Sequence, residues 1–284
     1  MDNRFFLIAA FFAIIYPLQH AKAQDSNDSL AFVSANWNWQ EIGNGAKAGY
    51  AQFRIFGSTQ SISIVKYPAR KFRTQIINSP GNIANTTDSL AMKYASLVAI
   101  NGSFFNTKTL YPHTFLSINH KIEGISSAHE YRRSNGILAF KDRKGRKMDI
   151  FLCDTSSYAK YSRKYYYAIA AGPLLLLDGK NAHIDTNMEF NSTRHPRSII
   201  GYDNNGYYYM IVIDGRFPGQ GEGISIPEAV AVARYAGLKE AINLDGGGSS
   251  TLWTEPTGVI NHPCDNKKFD HAGCRIIPNL IIAR

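Results

Sequence analysis

Residues 225–254 read S-I-P-E-A-V-A-V-A-R-Y-A-G-L-K-E-A-I-N-L-D-G-G-G-S-S-T-L-W-T. Ser225 and Glu228 stand at capping-box spacing with Pro227 in the first turn, so a helix starts here, runs through Ala229–Ala236 and stops at Gly237. A short apolar strand follows at Glu240–Leu244, then three successive glycines, then a second strand at Ser249–Thr254. Outward from this stretch, strands dominate. Tyr50–Phe56 and Ser61–Tyr67 alternate apolar and polar residues and read as a hairpin of two half-buried strands about Gly57–Gln60. Asp88–Tyr94 reads as a helix leading into the buried strand Leu97–Ile100, and further strands are predicted at Thr114–Asn119, Gly136–Phe140, Lys147–Leu152, Tyr165–Ala170, Leu174–Leu177, Ser198–Tyr202 and Tyr207–Ile213. No regular βαβ alternation, internal repeat or long linker appears. The expected class is α+β, a large mixed, mostly antiparallel sheet with a few flanking helices, in one domain over residues 24–284.

The chain has 284 residues, 44% apolar and 19% charged, which excludes low-complexity and disordered classes. Residues 1–23 have the form of a secretory signal peptide: Arg4, the apolar run Phe5–Leu18, and Ala21-Lys22-Ala23 as the cleavage site. The run is too short to span a bilayer and contains Pro17, so the expectation is a secreted or periplasmic protein, not inserted in the membrane after leader removal. The first residues after the leader, Gln24–Ser29, are polar and expected to fray. The formal net charge is +9, of which the leader carries +1. The basic residues are dispersed, with short clusters at Arg132-Arg133 and Lys141–Lys147, and no nucleic-acid-binding module is readable. For an exported protein, phosphorylated glycans or an anionic envelope surface are the better-matched anionic partners. Three cysteines in an oxidising compartment suggest one bridge and one thiol. Cys264 and Cys274 are close enough in sequence to close a short loop, and Cys153 follows an apolar run as a buried thiol would.

Four segments carry candidate chemistry. In Asn243-Leu244-Asp245-Gly246-Gly247-Gly248-Ser249 a strand ends on a carboxylate and a glycine run exposes successive N–H groups, either as an anion cradle or as a turn that Asp245 caps. Ile213-Asp214-Gly215-Arg216 repeats the strand-end carboxylate and leads into a glycine-rich segment, to Gly223, with the composition of a lid. Asn101-Gly102-Ser103-Phe104-Phe105 combines an amide, a hydroxyl and aromatics suited to a sugar, or forms a turn with two core phenylalanines. Arg194-His195-Pro196-Arg197 sets two guanidinium groups near each other, for a phosphodiester or as a basic surface turn. His195 reads as a loop histidine. No second His or Cys stands at metal spacing, so neither a metal site nor another cofactor is expected.

Taken together, A-I-N-G-S-F-F-N at 99–106, A-G-P-L-L-L at 171–176, H-P-R-S-I-I-G-Y-D at 195–203, I-D-G-R at 213–216, G-I-S-I-P-E at 223–228 and N-L-D-G-G-G-S-S at 243–250 resemble, in order and spacing, the phosphodiester glycosidase family. The last segment, C-D-N-K-K-F-D-H-A-G-C-R-I-I-P-N at 264–279, is also similar, including its cysteine pair, and the likeness spans about residues 45–284. The resemblance implies hydrolysis of a sugar 1-phosphodiester, with an N-acetylhexosamine as the expected sugar and a phosphorylated glycan or nucleotide-sugar-like molecule as substrate. It implies Asp214 and Asp245 at the anomeric carbon, one as base or nucleophile, and Arg197 with Arg275 at the phosphate. Asn101, Ser103, Gly172, Arg216, Asn243 and Gly246, Gly247, Gly248 and Ser249 become substrate-binding candidates. Glu228 matches a family glutamate and is a catalytic candidate, although its capping-box position offers a structural role. A phosphate-ester leaving group is already a weak base, which favours guanidinium over a strong general acid. Two alternatives stay open at this level: a non-catalytic binder of phosphorylated polysaccharide, and a phosphodiesterase that cleaves the P–O bond.

Overall fold

A computed structural model describes residues 25–284. The signal-peptide assignment to residues 1–23 lies outside the described residues. The α+β class holds, with antiparallel pairing throughout the described strands, but those strands divide among several sheets instead of one. An eight-stranded sheet runs in the order Asn38–Gly43, Ala46–Ile55, Ser58–Pro68, Tyr207–Ile213, Arg197–Tyr202, Glu240–Asn243, Leu174–Leu177, Lys180–Asn181. A five-stranded sheet is built on Gly136–Phe140 and Tyr167–Ala171. A second is built on Val98–Asn101, Leu252–Thr254 and Asn279–Ala283, and a two-stranded ribbon pairs Ile276–Ile277 with Asn85–Thr86.

The central strands of the large sheet are buried on both faces, while its edge strands Asn38–Gly43 and Lys180–Asn181 are mostly exposed. Along Tyr207–Ile213, Tyr208, Met210 and Val212 join the core shared with the two five-stranded sheets, and Ile211 and Ile213 join the core beneath the helix Ile226–Tyr235. This strand therefore contributes apolar burial in two directions, at about 1.5–3 kcal/mol per large side chain. The helix forms as its sequence predicts: Ser225 Oγ accepts from the Glu228 N–H, and the Glu228 carboxylate accepts from the Ser225 N–H at 2.8 Å. Ile226, Ala229, Val230, Val232 and Ala233 face the sheet. Thr87–Lys93 covers the outer face of one five-stranded sheet through Leu90 and Ala91, and Tyr158–Lys164 covers the other through Tyr158. No described helix is long and apolar enough to cross a membrane.

Two local expectations change. Residues 25–34 form a helix where fraying was expected; Phe32 packs into the large sheet's helix-side core and the Asp25 carboxylate takes Tyr235 Oη at 2.6 Å, which ties the segment down. The serines of Ser61–Tyr67 do not face solvent. Ser61 and Ser63 are fully buried and face the same side as Val65 and Tyr67, while Ile62 and Ile64 face the helix. Period-2 alternation here separates a polar interior from an apolar one.

Candidate functional site

Three strand ends meet at one edge of the molecule. Arg197 pairs with Ile213, and Ile199 with Asn243, so the strands leading to Asp214 and Asp245 finish side by side. Asn101, at the end of Val98–Asn101, ties the second sheet to them. Its Nδ2 donates to the Asp245 carbonyl at 2.7 Å, and its Oδ1 accepts from Ser198 Oγ at 2.7 Å and from the Thr251 N–H at 3.2 Å. With its amide bonded on both sides, Asn101 shapes the Asp245 loop. Ser103 is likewise engaged, its Oγ donating to the Ala170 carbonyl at 2.6 Å and its N–H to Asn279 Oδ1. Asn243 Nδ2 donates to the Gly172 carbonyl at 2.8 Å.

The glycine run is required by what crowds it. A Cβ on Gly246 would lie 2.6 Å from the Pro196 carbonyl oxygen, and Gly247 has φ +60°. A Cβ on Gly248 would lie 2.3 Å from Arg275 Nη2 and 2.1 Å from Asp265 Oδ1. The loop thus passes directly against Arg275. Arg216, itself at φ +72°, reaches the same loop: its Nη2 would be 3.1 Å from a Cβ on Gly247. Asp245 is half-buried, and burial holds its carboxyl above the usual range, opposed by the Ser249 hydroxyl and the positive charges of Arg133 and Arg275. Each guanidinium has an anchor. Arg275 Nε donates to Asp265 Oδ2 at 3.0 Å, Arg133 forms a bidentate pair with buried Glu130 and stacks on Phe104, and Arg216 Nη1 rests 3.6 Å from Cys264 Sγ. The loop's own N–H groups do not form the expected cradle, because those of Gly246, Gly247, Ser249 and Ser250 are bonded to Asp245 Oδ1 and to the Pro196, Gly246 and Gly247 carbonyls. The held arginines around the loop form the anion site, with a carboxylate at its centre. Arg133 was visible in the sequence only as part of a basic cluster.

Asp214 sits beside this loop in a different setting. It is 1% exposed, and both oxygens are saturated: Oδ1 accepts from Asn261 Nδ2 and the His262 N–H, each at 2.9 Å, and Oδ2 from Ser61 Oγ at 2.6 Å and His262 Nδ1 at 3.0 Å. Asn261 Nδ2 also reaches the Ser250 carbonyl, joining the Asp214 network to the glycine loop. The lid-like segment folds as a tight turn, Phe217 pairing with Gly221, and Gly221 closes over Asp214 and Ser61. His262 opens onto a cleft of about 290 Å³ lined by Asn38, Gln40, Tyr50, Thr257 and His271. Ser61, Asn261 and His262 escaped sequence reasoning, since they lie 153, 47 and 48 residues from Asp214. Among the described residues no group of three or more His, Cys, Asp or Glu side chains is placed to hold a metal.

A sequence model of the phosphodiester glycosidase family matches residues 94–284. The chain belongs to that family. The catalytic domain of zebrafish N-acetylglucosamine-1-phosphodiester alpha-N-acetylglucosaminidase, solved in a form auto-inhibited by its pro-peptide, is similar in fold, with TM-score 0.64 and 17% identity over 87% of each chain. A hypothetical protein from Synechocystis superposes with TM-score 0.62 and 13% identity, over 88% of this chain and 64% of that one. No curated protein matches by sequence.

The remaining residues suggested by the phosphodiester glycosidase resemblance lie outside the anion site. Arg197 is wholly buried and, with Ile199, faces the helix side of the sheet, opposite Ser198. Its Nε donates to the Ile224 carbonyl at 3.0 Å, and its Nη2 to the carbonyls of Phe190 at 2.7 Å and Thr193 at 2.9 Å, so the guanidinium ties loops together and is turned away from any phosphate in the site. Burial brings its pKa down to about 10. Glu228 is engaged by the capping box and by a bidentate pair with Arg194, which also bonds Ser58 and the Phe56 carbonyl. Gly172, at φ +153°, packs against the Arg133 backbone, where a Cβ would come within 2.6 Å of the Arg133 carbonyl oxygen. The expected Cys264–Cys274 bridge is absent: both are free thiols facing different partners, Cys264 toward Arg216 and Cys274 toward Thr251. Burial pushes the Cys274 thiol up to about 12. Cys153 is a free, half-buried thiol near Tyr158.

Proposed function

We propose that this protein hydrolyses a sugar 1-phosphodiester, with an N-acetylhexosamine as the sugar, to free sugar and a phosphomonoester, and that it acts as a secreted or periplasmic enzyme on phosphorylated glycans or nucleotide-sugar-like molecules. The observation that carries this reading is the set of anchored guanidiniums, Arg133, Arg216 and Arg275, around the Asp245 glycine loop. A phosphodiester placed there meets forked guanidinium donors before the reaction starts. As the C1–O bond breaks, the bridging oxygen gains charge where those donors already point, the preorganised stabilisation that dominates such reactions. Asp245 then supplies negative charge beside the anomeric carbon, which becomes oxocarbenium-like. Arg275 and its two companions take the phosphate role that the resemblance suggested for Arg197.

The test is to incubate the purified protein with UDP-N-acetylglucosamine and with a simple α-N-acetylglucosamine 1-phosphodiester, and to assay free sugar, sugar 1-phosphate and phosphomonoester. Free N-acetylglucosamine, with labelled water oxygen in the sugar and no product from Asp245→Ala, is the expected result. Sugar 1-phosphate in place of free sugar would instead mean P–O cleavage, and binding without turnover would mean a lectin-like role.

A further inference from the structure

Asp214 is a poor candidate for contact with substrate. All four of its acceptor directions are filled from within the protein, and it is 1% exposed. A buried, saturated carboxylate acts on chemistry only through one of its donors. Ser61 Oγ leads on, at 3.3 Å, to the Tyr50 hydroxyl, a phenol that burial holds in its neutral form and that is therefore no base. Asn261 returns to the Ser250 carbonyl, and the His262 main-chain N–H has no second reactive atom to offer. The His262 ring does have one. An ionised carboxylate accepts only, so the 3.0 Å contact with Oδ2 assigns the proton to Nδ1 and leaves the lone pair on Nε2, across the ring from Asp214.

The ring is fixed as well as polarised. It stacks on Phe269, with centroids 3.7 Å apart and planes 7° from parallel, and the same Asp214 carboxylate grips its main-chain N–H. The groups that face it are few. Asp214 lies on one side, His271 at 4.5 Å between ring centroids, and Tyr50 at 5.6 Å, the last with a hydroxyl that burial raises above its usual range. His271 is itself oriented by its Nδ1, 2.7 Å from the Asn261 carbonyl. The His262 side chain is 11% exposed, and it borders the 290 Å³ cleft. Two residues further on, Cys264 Sγ contacts Arg216, which reaches Gly247 of the anion loop. The histidine and the anion site therefore share one connected segment.

We propose that His262 is the proton acceptor that activates the hydrolytic water, with Asp214 a positioning residue that acts through it. The inference rests on the glycosidase reading given above. In the step, a cleft water attacks the anomeric carbon and its proton passes to His262 Nε2. The C1–O bond to the phosphate breaks with its electron pair on the phosphate oxygen, beside the arginines. The imidazolium returns its proton to the phosphomonoester or to solvent. Atoms and charge balance with water as the only co-reactant.

The experiment compares wild type, His262→Gln, Asp214→Asn and His271→Gln on the α-N-acetylglucosamine 1-phosphodiester across the pH range. His262→Gln is expected to lower kcat by about 10²–10⁴-fold with KM within about threefold, and to abolish the acid limb of kcat/KM. Asp214→Asn should lower kcat and displace the same limb, and His271→Gln should keep that limb. A nitrogen NMR spectrum of the wild-type imidazoles should show His262 protonated at Nδ1, a readout that needs neither turnover nor a folded variant. Wild-type turnover with kcat and acid limb unchanged in His262→Gln, or an Nε2–H tautomer, overturns the assignment to His262 alone. A wild type that releases no free sugar overturns the glycosidase reading, and the proton-transfer role falls with it.

Discussion

Arg197 points its donors at three main-chain carbonyls, and Arg197→Ala leaves two of them, Phe190 and Thr193, without that donor, while the Ile224 carbonyl keeps the His195 N–H. At about 1–3 kcal/mol for each unsatisfied group, the variant should lose about 2 kcal/mol or more in chemical denaturation. Arg275 has the opposite profile. It is partly exposed, its pair with Asp265 adds about 1 kcal/mol at most, and its guanidinium lies against Gly248. Arg275→Ala should therefore unfold within about 1 kcal/mol of wild type, yet lose about 10²–10³-fold in turnover of a sugar 1-phosphodiester. Asp245 sets a pH signature. Its carboxyl is raised by burial in the fold, so the folded protein holds that proton more tightly than the unfolded chain does. Its contribution to stability is full below the ordinary carboxylate range and is lost as pH rises through the raised value. Asp245→Asn removes that loss. Urea midpoints should converge in acid and favour the variant at neutral pH, even though it is inactive.

At the scale of elements, the capping box was legible residue by residue. Ser225, Pro227, Glu228 and Gly237 lie within thirteen positions, and cap chemistry depends only on neighbours along the chain. Ser225→Ala should cost about 1 kcal/mol in thermal or urea unfolding and leave kcat unchanged, because the helix packs on the face of the sheet opposite Ser61 and Ser198. The strand pattern was legible too, though its meaning was not. In Ser61–Tyr67 the alternation marks two environments correctly, but it does not say that the polar face is a buried site. Only the second and third sheets, packed over Val65, Tyr67, Met210 and Val212, make that side an interior.

Across the whole molecule, the anion site joins residues that no window contains: Arg133 beside one five-stranded sheet, Asp245 on the large sheet, and Arg275 just before the ribbon strand Ile276–Ile277. A ligand held by all three should stabilise the fold as a unit. Inorganic phosphate at 100 times its dissociation constant is expected to add about 2.7 kcal/mol, and the melting-temperature shift should vanish in Arg275→Ala.

By itself, the amino-acid sequence determined the α+β class, most strands, the capped helix, the strand-end carboxylates and the family resemblance. All of these are written in short-range periodicity, turn chemistry or ordered motifs. Only the tertiary structure decided which face each side chain took. Strand register turned Arg197 away from the site and Ser61 into it. Packing saturated Asp214, and chain closure over 48 residues brought His262 to it. Those outcomes depend on pairing between distant segments, and a one-residue change of register would reverse every one of the facing choices.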